Sequence, residues 1–292
     1  MFSEEWPLMM FTLLSQLAVG TYIILLFIRF SLMKNDVDLS VRLTNPGLKV
    51  VGPIMALALV LSVFHLGTPL GAYRAVLNLT SSWLSREIIM AGGFFVFWFL
   101  SYSTFKQGKP GVALGIVTAL FGFAAVFSNA SVHAMSVRPA WMDVNTYLAF
   151  YGTTFAMGCV GATSLVAFEL KGSAVPAPAG KILKTVAIIA GIAVAVPLVY
   201  TPFFVSTLNA GSSAAHDSAA MISGSYLMPL VIRAVLSLAG AVLLYSVMKK
   251  PQSILPVNQA FGALMLIAAG EFIGRYVFYA TAVSIFTGRT LI

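Results

Sequence analysis

Eight uninterrupted apolar runs constrain this chain more than any other feature. Each is about as long as the 20 residues that carry a helix across a bilayer. They occupy Leu8–Phe30, Gly47–Leu66, Leu84–Phe105, Gly111–Val132, Tyr147–Leu170, Ile182–Phe204, Tyr226–Met248 and Leu255–Phe286, the last long enough to include an interfacial turn. Membrane-spanning strands would instead alternate apolar and polar residues over segments of about 10. The spacing therefore predicts an all-α polytopic membrane protein with eight transmembrane helices. The connecting segments are too short for a soluble domain, which predicts a single integral membrane domain over 1–292. Charge is correspondingly scarce, with 17 basic and 9 acidic residues making 9% of 292, where soluble domains carry about 25%. The first charges, Glu4 and Glu5, are acidic, unlike those of a cleavable signal, so the first span is expected to be retained.

The few charges sort by side. Numbered from the N-terminus, odd loops hold Lys34, Arg42, Lys49, Lys106, Lys109, Lys171, Lys181, Lys184, Lys249 and Lys250. Even loops and tails hold Arg74, Arg86, Arg138 and Arg289. Arg29, at the inner end of the first span, adds to the same bias. The positive-inside rule then places the odd loops in the cytoplasm and both termini on the outer (periplasmic) side. The net charge of +8 thus reports orientation in lipid, and no nucleic-acid partner is expected.

A single cysteine, Cys159, excludes an iron–sulfur cluster or a cysteine-rich zinc site held by this chain alone. It reads as a packing residue. The three histidines, His65, His133 and His216, all fall on the outer side. Two of them would suffice as axial ligands of one haem b, but a dihaem or mid-membrane haem needs more, placed deeper. No haem, iron–sulfur cluster or metal is expected here.

Two polar clusters stand out. The first is Phe64-His65-Leu66-Gly67-Thr68-Pro69, followed by Arg74 and Ser85-Arg86-Glu87. Gly67 and Pro69 stop the second helix, leaving His65 in its last turn. Ser85 reads as an N-cap for the third helix, with Glu87 in its first turn. Two readings are open: an interfacial histidine with a dipole-complementing acid, or a proton-accepting pair at a lipid-soluble redox substrate. Quinol oxidation releases two protons with two electrons, and His and Glu suit that acceptance.

The second cluster is Gly270-Glu271-Phe272-Ile273-Gly274-Arg275-Tyr276. Glu271 and Arg275 stand at i and i+4, the order that favours an ion pair. Each ion alone in a bilayer costs about 2.5–3.5 kcal/mol on insertion scales. Gly270 and Gly274 offer a small-residue face for close helix packing. Arg233 either snorkels outward or turns inward to reach Glu271. These residues read as structural first, or Glu271 and Arg275 as the central site of a secondary transporter, for which Pro197 and Pro202 would interrupt the sixth helix. Asn129-Ala130-Ser131 matches a glycosylation acceptor pattern of low specificity.

Several segments resemble a known family. They are Glu5-Trp6-Pro7-Leu8-Met9 with Phe11-Thr12, then His65-Leu66-Gly67-Thr68-Pro69, Leu84-Ser85-Arg86-Glu87-Ile88, and Gly270-Glu271-Phe272-Ile273-Gly274-Arg275-Tyr276-Val277-Phe278-Tyr279. In this order and spacing they resemble the membrane anchor subunit of bacterial dimethyl sulfoxide reductases, the DmsC family. The resemblance implies an eight-helix anchor in the bacterial inner membrane that oxidises menaquinol at its outer side during anaerobic respiration. It implies a heterotrimer, with electrons passing to an iron–sulfur subunit and on to a molybdopterin catalytic subunit. The anchor itself would contribute only the quinol half-reaction. The resemblance assigns His65 and Glu87 to the quinol site. Gly71 stands where relatives are expected to carry a basic residue, which leaves Arg74 as a candidate substitute. The alternatives are a secondary transporter built on Glu271 and Arg275, or a haem b quinol-oxidising subunit.

Overall fold

The computed structural model describes residues 2–65, 78–109, 111–249 and 254–290, without the side chains of 2–5 and 65. Among these residues the chain forms nine α-helices: α1 (Phe2–Met33), α2 (Val37–His65), α3 (Trp83–Lys106), α4 (Val112–Ala134), α5 (Val144–Glu169), α6 (Ala177–Asn209), α7 (Ser213–Ser223), α8 (Leu227–Met248) and α9 (Val257–Ala280). All but α7 are long and apolar enough to cross a membrane, which gives eight candidate spans. The chain is a multi-pass membrane protein.

Helices α1 and α5 form the centre. In each, 72% of the most apolar window is buried inside the chain, against 22% in α8. The outer helices face lipid instead, through side chains such as Leu57, Phe99, Leu120, Ile192 and Val242. Lipid tails are as apolar as leucine, so close van der Waals approach must hold the central pair together. Glycine supplies it. A Cβ at Gly20 would lie 1.9 Å from the Thr154 carbonyl oxygen, and one at Gly158 would lie 2.3 Å from the Gly20 carbonyl carbon.

Polar ties fix the neighbours of this pair. Tyr22 Oη and Ser101 Oγ lie 2.9 Å apart across α1 and α3. Trp98 Nε1 donates to the Leu48 carbonyl at 2.8 Å, with the indole seated over Gly52. Ser164 Oγ donates to the Ala260 carbonyl at 3.0 Å, joining α5 to α9.

Four departures from the sequence reading bear on the fold. First, α2 begins at Val37, ten residues before the expected Gly47, and runs through Pro46. The cause is Arg29, only 1% exposed. Its Nη1 donates to Thr44 Oγ1 at 2.9 Å and to Asn45 Oδ1 at 2.8 Å, and its guanidinium stacks over Phe105. This charge ties α2 to α1 within the bundle. It is not a surface orientation signal, as its counting among the inner basic residues would have it.

Second, Pro197 and Pro202 do not interrupt α6, which stays helical across both. Gly152 makes room for the Pro197 ring and for the Ala193 carbonyl that the proline leaves without its i+4 amide donor. Third, α9 stops at Ala280, and residues 281–290 fold back on the turn before α5. There Ile285 N donates to the Val137 carbonyl at 3.1 Å, and Arg138 donates to the Ala282 carbonyl. Fourth, the sixth loop contains α7, a helix too polar to appear in a hydropathy scan.

Candidate functional site

The site grows from the start of α3. Ser82, not Ser85, is the N-cap, and its hydroxyl accepts from the Ser85 amide at 3.3 Å. Glu87 consequently lies one turn deeper than expected and is 5% exposed. A carboxylate there is too far in to act as a surface complement to the helix dipole. Its partner is Asn129 on α4, whose Nδ2 donates to Glu87 Oε1.

Glu87 and Asn129 stand on the wall of a cavity of about 350 Å³. Leu8 and Phe11 of α1, Leu59 and Ser62 of α2, Leu84 and Ile88 of α3, and Val132 and His133 of α4 supply most of the rest. The cavity is therefore mostly apolar, with one carboxylate and one amide converging on it. That composition suits a small lipid-soluble ligand held by few hydrogen bonds, and the volume lies within the usual range for ligand sites.

His133 joins this wall from the last turn of α4. It is 4% exposed and ringed by Trp141, Phe150, Phe278 and Tyr279. Its Nδ1 lies 2.9 Å from the Asn129 carbonyl, and its Nε2 lies 3.1 Å from the Tyr279 hydroxyl. A carbonyl only accepts, so Nδ1 carries a proton in this arrangement, while Nε2 pairs with the Tyr279 hydroxyl.

The second cluster lies at the same end of the bundle, between α5, α8 and α9. Glu271 does not pair with Arg275 one turn away. Its Oε2 lies 3.4 Å from Arg233 Nη2 and 2.7 Å from Thr153 Oγ1, and its Oε1 accepts from Ser237 Oγ at 3.1 Å. Arg275 turns toward α1 instead, where Nη2 donates to Gln16 Oε1 at 2.9 Å and the guanidinium lies 3.8 Å from the Phe150 ring centroid.

The glycines explain the choice of partner. A Cβ at Gly274 would fall 2.4 Å from Arg233 Nε, and one at Gly270 would fall 2.3 Å from Ser237 Oγ. The small-residue face expected to pack helices thus also admits the polar side chains that serve Glu271. A cleft of about 50 Å³ borders this cluster.

Of the residues singled out in the sequence, the structure brings Glu87 to the larger cavity and gathers Arg233, Glu271 and Arg275 in the second cluster. His65 is the last residue of α2, at the same end of the bundle, and its side chain lies outside the described residues. Arg74, with Gly67, Thr68, Pro69 and Gly71, also lies outside them. His216 is exposed on α7. Cys159 is buried in the core.

Sequence reasoning missed Asn129 and Gln16 as site residues. The available signal was an uncharged amide inside an apolar run, where lipid offers no partner. For Asn129 the glycosylation pattern masks that signal.

Comparison with known proteins gives this geometry a context. The family model described as DMSO reductase anchor subunit (DmsC) matches residues 2–281. The chain belongs to this family. It is 29% identical over 291 residues to the YnfH subunit of anaerobic dimethyl sulfoxide reductase of Escherichia coli (strain K12), covering 94% of each protein. It is 26% identical over 287 residues to the C subunit of anaerobic dimethyl sulfoxide reductase of the same strain, again covering 94% of each. The C subunit of the Haemophilus influenzae enzyme is 29% identical over 162 residues, covering 53% of this protein and 56% of that one. Because the DmsC match runs from α1 past the end of α9, it includes both polar clusters.

Proposed function

We propose that this chain is the membrane anchor and quinol-oxidising subunit of a dimethyl sulfoxide reductase-type complex. Menaquinol binds in the cavity between α1, α2, α3 and α4. Its oxidation to the quinone releases two electrons and two protons. Glu87 accepts or relays one proton and His65 the other, with Arg74 as a further quinol contact. The electrons leave to a docked iron–sulfur subunit, which feeds a molybdopterin catalytic subunit, in a heterotrimer. The chain is one membrane domain of the bacterial inner membrane, with both termini and the cavity on the outer side.

One observation carries this reading: a buried carboxylate with an amide donor stands on the wall of an apolar cavity at the His65 end of the bundle. Other features weigh against the alternatives. Glu271 is served by one guanidinium and two hydroxyls, which supports a structural role over a transport site. Both ring nitrogens of His133 are engaged by protein oxygens, which supports a haem-free quinol site.

The isosteric Glu87→Gln variant tests the assignment in the assembled complex. Quinol-dependent turnover is expected to fall by at least about a hundredfold, the usual scale for losing a positioned proton acceptor. Reduction of the oxidised substrate with an artificial donor to the partner subunits stays unchanged. His65→Ala is expected to behave alike. Wild-type quinol oxidation by Glu87→Gln would sink the reading.

A further inference from the structure

Two buried amides face each other across a very small space beside Glu87. Gln16 is 1% exposed on α1, and Asn129 is 5% exposed on α4. Arginine can only donate, so Arg275 fixes the Gln16 amide with Oε1 toward α9. Gln16 Nε2 therefore points the other way, and no atom of the described residues accepts from it. Asn129 donates through Nδ2 to Glu87, which leaves its Oδ1 as an acceptor without a donor among the described residues. Both side chains line a cavity of about 10 Å³ that Glu87 and Ser15 also border. That is about the room one water needs, and a buried water needs two to four polar partners.

We propose that this cavity holds one ordered water, which accepts from Gln16 Nε2 and donates to Asn129 Oδ1 and the Glu87 carboxylate. Gln16 and Arg275 thereby become positioning residues for Glu87. The chemistry selects water over an ion. A cation would meet the Gln16 N–H groups, and an anion would meet the Glu87 carboxylate. The bridge gives Glu87 a second donor and steadies the carboxylate for a proton arriving from the larger cavity, which it also borders. It also joins the two polar clusters in one series of contacts, from Glu87 through Gln16 to Arg275. The inference rests on the quinol-site reading of Glu87.

Gln16→Glu in the assembled complex separates the two ideas. It keeps an acceptor for Arg275 but puts an oxygen where the water needs a donor. Quinol-dependent turnover should fall about tenfold, the worth of one buried hydrogen bond to a charged group, with KM for quinol within about twofold of wild type. The Glu87 carboxyl band of the redox-difference infrared spectrum, identified by its loss in Glu87→Gln, should shift in Gln16→Glu. Turnover driven by an artificial donor to the partner subunits should not change. Gln16→Leu should show the same turnover loss.

Wild-type turnover and an unshifted band in Gln16→Glu, beside an inactive Glu87→Gln, would overturn the water bridge alone. So would lost turnover without a band shift. An active Glu87→Gln would instead overturn the quinol site itself.

Discussion

A carboxylate inside a membrane-spanning helix must find its donors among protein side chains. Glu87 finds one in Asn129 Nδ2. Asn129→Leu removes that donor while keeping the branched side-chain shape, leaving the carboxylate with an unmet lone pair. The expected loss is about 1.5–3 kcal/mol, the range for hydrogen bonds to charged groups. It should appear as a lower midpoint when the purified chain is unfolded in detergent. An unchanged midpoint would mean that Glu87 does not depend on Asn129. Arg29 obeys the same rule at the opposite end of α1, where Thr44 and Asn45 meet its guanidinium.

Among the helices, the central crossing of α1 and α5 sets backbone directly against backbone. At Gly158 a methyl group would overlap the Gly20 backbone, which neither helix can move without displacing its other neighbours. Gly158→Ala is expected to cost about 1–3 kcal/mol, as overpacking does in cores. Gly158→Leu is expected to abolish the monodisperse peak in size-exclusion chromatography. Gly92 on α3 is the control, because a Cβ there meets nothing within 4 Å. Gly92→Leu should elute as wild type does. Similar behaviour of the two leucine variants would refute the crossing.

For the whole molecule, the arrangement puts both cavities at one end of the bundle, the end where α1, α3, α5 and α8 begin. In the proposed topology that end faces the periplasm. The single cysteine makes this simple to check, because Cys159 is buried and Cys159→Ala provides a cysteine-free background. Met142 and Ile254 are each 60% exposed and lie at opposite ends. In intact cells a membrane-impermeant thiol reagent should label Met142→Cys and leave Ile254→Cys unlabelled until the membrane is opened. The reverse pattern would invert the topology.

The eight spans were legible because a bilayer demands about 20 apolar residues from any helix that crosses it. Helix ends were less so: outside the apolar core, Val37–Pro46 and α7 are held by packing and polar ties, which hydropathy does not register. Scarcity of charge likewise exposed Glu87, Arg233, Glu271 and Arg275, since a charge in lipid needs a reason to be there. Their partners were not legible. Helical spacing favoured Glu271 with Arg275, yet the glycine face of α9 lets Arg233 in and Arg275 finds Gln16 across the bundle. Asn129, Gln16 and His133 acquire their roles only where α1, α3, α4 and α9 meet. The sequence by itself determined that the protein crosses a membrane and which few charges it carries there. Only the tertiary structure decided which charge meets which amide, because contacts between helices depend on how closely their backbones approach.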